Sequence, residues 1–356
     1  MANLTNIQLL SPSFKFLIQG KTVEGVADTD ISRISVFEDI DVPGMVEISL
    51  NSWDLINNKL TWIDHALFDI GKTFEVQMGY GSQLGSLLTG EITALEPEFV
   101  QNENPRIVVR GHDFRHRLMR GQQTQSFTKL KDSDIARQIA QKHGLTADVK
   151  DSQVILEYVL QHNQTDLAFL QNRAQRIGYE VTIDHKSLKF HPRSHASKPI
   201  LTLKFDEQLT EFFPRLSSFS QVGQVEVLGW SPTQKQPLRA MAGVGKETTR
   251  MAGKATGSQV VKSVFGAAHN SLVDRPISTK AEAEQIAASW FNDMALSYIE
   301  GDGVCLGTPD LHAGQVIDIT GVGNRFSGQY YVTSVRHTYD RNSGYNTSFT
   351  VRRNAS

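Results

Sequence analysis

The sequence predicts an α+β, mainly β fold: two related β-barrel domains with an α+β domain between them. Three observations predict it. Apolar and polar residues alternate with period two towards both ends, the middle switches to helical spacing, and blocks near the two ends resemble each other 240 to 243 residues apart. The first barrel is expected over 1–125, a middle domain of two helices and a hairpin over 126–198, and the second barrel over 199–356. That last part carries a long loop over 234–276 and a helix over 279–300. With 356 residues, two or three domains are expected at roughly 150 residues each, and each can bury a core without a staple.

In the first part, Phe14, Phe16 and Ile18 alternate with Lys15, Leu17 and Gln19, blurred by Leu17. Ile34 and Val36 precede an acidic turn at Asp39 to Gly44. Val46, Ile48 and Leu50 alternate with Glu47 and Ser49, and Phe74, Val76 and Met78 with Glu75 and Gln77. Ile107 to Val109 is a further β-branched run, and Pro43-Gly44 and Gly79-Tyr80-Gly81 read as turns. In the middle, Ile135, Ile139 and Ala140 share a helix face, with Asp132 or Ser133 as cap and Gly144 as stop. Leu167, Leu170, Ala174 and Ile177 mark a second helix between Thr165 and Gly178, and a hairpin follows, turning at Asp184 to Ser187. In the last part Val225 to Leu228 reads as a strand. Gln234 to Pro276 has little periodicity and reads as an extended loop. Thr279 and Glu282 have capping-box spacing before the stripe Ala283, Ile286, Ala287, Trp290 and Met294.

Composition removes several functions. Lys plus Arg is 36 against 38 for Asp plus Glu, so the basic footprint of stable nucleic-acid binding is missing. The single cysteine, Cys305, forms no intramolecular disulfide, which suits a reducing compartment. The first residues lack a basic segment followed by an apolar one, and no run approaches about 20 apolar residues. Cytoplasmic assembly without membrane insertion is expected, with later incorporation into a particle.

The internal repeat is the most informative signal. Gly71, Phe74, Glu75 and Val76 fall on Gly314, Ile317, Asp318 and Ile319, and Gly79 and Gly81 on Gly321 and Gly323. Ile92, Thr93 and Leu95 fall on Val332, Thr333 and Val335; Ile107, Val109 and Arg110 fall on Phe349, Val351 and Arg352. A fold used twice has a geometric consequence. Three copies present six similar units around a threefold axis, so one face can seat a sixfold object and the other a threefold one.

The blocks GHDFRHRLMRG, SFTKLKDSDIARQIAQKHGL, LQHNQTDLAFLQNRAQRIGYEVTIDHKSLKFHPR and GTPDLHAGQVIDITGVGNRFSGQYYVTSVRHTYD resemble the phage late control gene D family, the baseplate hub proteins of contractile tails. The amino-terminal part of the type VI secretion spike protein VgrG is similar. The resemblance covers Ser13 to Arg353 and is most specific over Asn163 to Gly178 and Gly307 to Val335. It implies a structural homotrimer that adapts a hexameric inner tube protein to a trimeric central spike, with further contacts to other baseplate subunits. Arg352 and Arg353, near the carboxyl end, would lie close to the spike. VgrG-type chains continue into a spike and this sequence stops at Ser356, so a separate spike protein is expected. A tail-associated hydrolase and a glycan- or receptor-binding tail module are the alternative functions.

No catalytic, cofactor or metal residues are assigned, and no enzyme activity is expected. His112, Asp113 and His116 form HDxxH, whose i, i+4 histidines can share a metal on a helix. The usual protease pattern has Glu after the first His, and no third ligand is apparent. A hydrolase would use this set. His185, His191 and His195 cluster on the hairpin and its exit loop. Gly243 to Thr248, GVGKET, departs from a phosphate loop at Ala240 and Glu247. Gly321, Gly323 and Gly328 do not match GxGxxG and read as turn glycines. Asp302 and Asp310 flank Cys305, which has no histidine near it in sequence and reads as a buried apolar side chain.

Overall fold

Alternation becomes strands where the sequence places it. The computed structural model describes residues 11–23, 29–231, 235–273 and 276–356, so 1–10 and 24–28 of the first expected barrel, and Gln234, Asp274 and Arg275 of the expected loop, lie outside the described residues. The first part contains β1 (Pro12–Ile18), β2 (Lys21–Thr22), β3 (Ile31–Asp39), β4 (Met45–Asn51), β5 (Trp53–Asp54), β6 (Lys59–Leu60), β7 (Thr73–Tyr80), β8 (Gln83–Glu98) and β9 (Arg106–His112). On β4, Val46, Ile48 and Leu50 are buried while Glu47 and Ser49 face the other way. The same alternation on β3, β7 and β9 builds a core with Phe16, Phe68 and Phe74.

The middle unit holds β10 (Gln123–Leu130), α1 (Asp132–Lys142), β11 (Thr146–Val149), β12 (Leu156–Gln164), α2 (Asp166–Arg176), β13 (Tyr179–Asp184) and β14 (Ser187–Pro192). Its core takes Ile135, Ile139, Leu167 and Leu170 from the two helices and Phe190 from the hairpin, and it reaches back to Phe114 and Leu118. Thr165 caps α2 by accepting from the Ala168 amide, as its spacing predicts. α1 differs: its N-cap is Lys131, which makes no side-chain cap, and Asp132 instead binds Arg173 of α2 through two oxygens at 2.6 and 3.0 Å. An ion pair between helices takes precedence over a local cap here.

The last part begins with β15 (Thr202–Lys204), β16 (Leu209–Leu216) and β17 (Gln224–Ser231). The expected loop over 234–276 is a misreading. It holds β18 (Gln236–Gly243), α3 (Gly257–Phe265) and β19 (His269–Leu272), and β18 and β19 flank β17 in a three-stranded sheet. The buried side chains of β18 are Leu238, Ala240 and Ala242, alternating with Arg239 and Met241. Alanine carries so little apolar contrast that the period-two signal disappears. α4 (Lys280–Leu296) packs Ala283, Ile286, Ala287 and Phe291 against this sheet, making a fourth core beside the three expected. Thr279 caps α4, but Glu282 closes no box with it. Its carboxylate accepts from the Ser278 amide at 2.8 Å. The chain ends with β20 (Ile299–Leu306), β21 (Val316–Thr320), the short α5 (Gly323–Phe326), β22 (Gly328–Asp340) and β23 (Gly344–Arg353).

One thirteen-stranded sheet joins the two ends in the order β16-β20-β23-β22-β3-β4-β9-β8-β7-β1-β2, with β21 beside β22 and β15 beside β21. The expectation of two separate barrels is corrected accordingly. Neither half closes on itself among the described residues, because β3 spends its outer edge on β22, antiparallel, with Ser35 opposite Thr338. The coarser reading, mainly β with helices, holds. No helix among the described residues is long and apolar enough to cross a membrane.

Candidate functional site

Each half of the great sheet repeats one strand order. The first half reads β3-β4-β9-β8-β7-β1, and the second β16-β20-β23-β22-β21-β15. The match reaches single hydrogen bonds. The Gly71 amide donates to the Ile92 carbonyl and Gly314 to Val332, both at 2.8 Å, and both glycines have left-handed backbone, with φ of 86° and 84°. The Ile92 amide returns to Lys72 at 2.9 Å and Val332 to Gln315 at 2.8 Å. A β-bulge follows in each, between Ile92 and Ala94 and between Val332 and Ser334. Thr93 and Thr333 sit inside these bulges, 3.5 Å from the Arg110 carbonyl and 3.2 Å from the Thr350 carbonyl. The halves differ at one end, where β1 runs antiparallel to β7 but β15 runs parallel to β21.

The register corrects one stretch of the repeat. Leu95 faces Val109 and Val335 faces Phe349, so the partner of Val109 is Phe349 and not Val351, and Arg110 matches Thr350 rather than Arg352. A slip of two residues keeps every side chain on its own face, so an alternation pattern cannot reveal it.

The solvent side of this sheet is polar and nearly balanced in charge. Across neighbouring strands it carries the ion pairs Arg110–Glu96 at 2.9 Å, Arg110–Glu47, and Arg352–Glu300 at 3.3 Å, together with Thr350 donating to Asp302 at 2.9 Å. Cations and carboxylates alternate along it, so no large field of one sign builds up.

The chemical candidates from sequence come apart. His112 Nδ1 lies 2.7 Å from the Thr93 hydroxyl. Asp113 caps the 3-10 turn Phe114–Met119, binds Arg115, and accepts from the Gly44 amide at 2.6 Å. His116 Nε2 meets Glu91 at 2.8 Å, and Glu91 also binds Arg117. The Arg117 guanidinium is the main reason that the Glu91 carboxyl is held below its usual range, and burial lowers the His112 imidazole. The three residues therefore strap the turn to β4 and β8 rather than converge. His185 pairs with Asp184, His191 with Asp148, and His195 is buried beside Tyr331. Among the described residues no group of three or more His, Cys, Asp or Glu is placed to hold a metal ion.

In GVGKET, Glu247 accepts from the Gly245 amide at 2.7 Å and from Thr256 at 2.8 Å, so a carboxylate fills the place a phosphate would need. Cys305 is fully buried, and burial pushes its thiol up to about 12. Arg352 lies half-exposed on the polar face with Glu300. Arg353 is only 1% exposed; its guanidinium lies 5.4 Å from the Tyr330 ring centre and donates to the Ser327 carbonyl at 2.8 Å. Its side chain packs the second half rather than meeting a surface. Sequence reasoning did not find the free edges of β8 and β16, which only pairing order reveals. Their one signal was Pro97 and Pro214 inside otherwise strand-like runs.

Several solved structures share the fold. The prophage MuSo2 43 kDa tail protein from Shewanella oneidensis matches with a TM-score of 0.71 and 14% identity, over 96% of this chain and 98% of that one. A tail protein from Neisseria meningitidis MC58 matches at 0.67 and 13%, covering 96% and 97%. An E. coli protein described as a component of the type VI secretion system, similar in structure to T4 bacteriophage tail proteins, matches at 0.61 and 15%, covering 96% and 77%. At these identities the likeness is one of fold. No curated protein matches. A family model described as the Alg8 N-terminal domain matches residues 10–340, and the chain belongs to that family.

Proposed function

We propose that the protein is a structural hub of a phage tail or contractile injection particle, in which three copies adapt a hexameric inner tube to a trimeric central spike. The repeated strand order, with its matched bulge and glycine turn, carries the reading. A chain that holds the same five-strand antiparallel order twice, with a sixth strand of opposite direction at one end, offers six similar units when three copies assemble, and so meets a sixfold ring without breaking threefold symmetry. The resemblance to late control gene D proteins points the same way, as does the fold shared with phage tail proteins. The balanced polar face suits a conduit wall that does not hold passing cargo. His112, Asp113 and His116 are committed to separate local bonds, which favours a structural role over hydrolysis. Arg352, still accessible, remains the proposed contact on the spike side.

The test is the mass of the purified chain in solution, alone and with candidate tube and spike proteins. Three copies per complex are expected, with one tube hexamer and one spike trimer bound. A complex of any other copy number would overturn the reading.

A further inference from the structure

The glycine turn that both halves share is covered in one half and open in the other. In the second half the Gly314 carbonyl accepts from the Ser194 hydroxyl. Beside it the Tyr331 hydroxyl donates to Glu180 at 2.5 Å, and Arg193 donates to Glu180 at 2.9 Å and to Asp293 of α4. Leu296, three residues further along α4, packs with Tyr331 and Val316, and Ala313 lies against that cluster. The chain thus covers this place with a helix that brings a carboxylate and a leucine on one face.

In the first half the same place is an open cleft of about 540 Å³, lined by Ile70, Gly71, Glu91, Arg117, Arg120 and His143. Register makes Glu91 the counterpart of Tyr331, because Thr73 faces Glu91 as Val316 faces Tyr331. Ile70 and Gly71 correspond to Ala313 and Gly314. Ile70 is 65% exposed, and the Gly71 carbonyl accepts no hydrogen bond among the described residues. A guanidinium again binds a carboxylate here, although it comes from a different element. Arg117 holds Glu91 through Nε at 2.9 Å and through Nη2, and its guanidinium lies 5.3 Å from the Phe114 ring centre, so its orientation is fixed. Its Nη1 makes no hydrogen bond among the described residues, whereas Arg193 spends Nη1 on Asp293.

The charge that reaches solvent at this cleft is positive. Side-chain exposure is 10% for Glu91 and 3% for Asp166, but 36% for Arg117 and 44% for Lys142 beside His143. Arg120 is exposed and has no ion-pair partner among the described residues, and Asp69 at the rim is matched by Lys72. Carboxylates lie beneath and cations in front, so the local field favours an incoming anion. A free phosphate or a nucleic acid would use the cations and leave Ile70 bare; a helix with one carboxylate and one apolar side chain uses both. We infer that the cleft over Gly71 receives an acidic amphipathic helix of a partner protein. It sets a carboxylate on Arg117 and Arg120 and an apolar side chain on Ile70, as α4 serves the second half with Asp293 and Leu296.

The probe is a labelled alanine-rich helical peptide as long as α4, with Asp and Leu spaced as Asp293 and Leu296 are, and its binding to the full chain is read by fluorescence anisotropy. Saturable binding is expected. Asn in place of the peptide's Asp, or Arg120→Glu or Ile70→Ser in the protein, should each weaken it about tenfold. Both positions are exposed, so the fold should survive, which circular dichroism checks. A peptide with Lys in place of Asp should recover most of the affinity lost in Arg120→Glu. No saturable binding, or equal affinity for the Asp and Asn peptides, would overturn the helix. An oligonucleotide or inorganic phosphate that binds as tightly as the peptide, with no effect of Ile70→Ser, would make the cleft a general anion site instead. Self-association abolished by Arg120→Glu, with no peptide bound, would assign the cleft to a second copy and overturn the proposal. None of these outcomes changes the copy number of the assembly, which the mass measurement reads separately.

Discussion

Arg176 and Glu282 meet at 2.8 Å between α2 and α4, with side chains only 9% and 7% exposed. Arg176 also donates to the Pro276 carbonyl, and Glu282 accepts from the Ser278 amide, so the pair fastens the middle unit to the inserted sheet. Removing one member leaves the other charge buried and unpaired. Glu282→Ala should cost roughly 3–5 kcal/mol of stability. Glu284→Ala breaks an exposed pair with Lys280 on the same helix and should cost about 0.5 kcal/mol or less. Urea unfolding midpoints compare them, and equal losses would mean that the junction is not held this way.

Gly111 sits under the Phe74 ring, where an added Cβ would lie 2.3 Å from the ring. The equivalent positions in the second half hold Val351 and Ile317, so a large-and-small pair has become two middle-sized residues. Gly111→Val alone should overpack the first half by about 1–3 kcal/mol. Phe74→Ile in the same chain should recover most of that loss, because the double variant reproduces the second half. A double-mutant cycle with no coupling would argue against the two halves being one packing solution.

Which features were legible in the sequence follows from how each signal arises. Large side chains alternating with charges gave β4 and β7 directly, and Thr165 with Gly178 marked both ends of α2. The alanine-rich β18 gave no contrast, and Asp132, a good cap by type, went to Arg173 41 residues away. The repeat was visible because glycine turns and a threonine bulge are local. Its final stretch slipped by two, since alternation is blind to that shift. The HDxxH histidines sit close in sequence, but a strand end and a 3-10 turn point them apart. The β3–β22 joint spans some three hundred residues, and nothing local announces it.

Cys305 tests the interior of the second half. It lies at zero exposure on β20, facing Thr347 across the ladder. Burial disfavours its thiolate, the reactive form, and pushes the thiol up to about 12. An aromatic disulfide reagent at pH 8 should leave the native protein unlabelled for hours and label one thiol at once in denaturant. Fast labelling of the native chain would mean that β20 opens readily.

Acid should unfold the protein through buried histidines. His337 is fully buried. Its Nε2 lies 3.0 Å from the Leu311 carbonyl, and Nδ1 faces the Tyr345 and Thr347 hydroxyls at 2.8 and 3.1 Å. That arrangement suits a neutral ring donating from Nε2 and accepting at Nδ1. Burial lowers His337 to about 3 and His195 to about 4. Between pH 6.5 and those values the unfolded chain binds protons that the native chain does not, so stability rises with pH and is lost as pH falls. At pH 5 the loss is about 2 kcal/mol for each histidine, from a gap of about 1.5 units at 1.36 kcal/mol per unit. His312, bonded to Glu38, is raised instead; its contribution is complete below about 6.5 and fades above it. Urea midpoints measured from pH 7 to 4.5 should therefore fall steeply. In His337→Gln the slope should drop, with His195 and the half-buried His112 still contributing, and an unchanged slope would show that His337 does not titrate on unfolding.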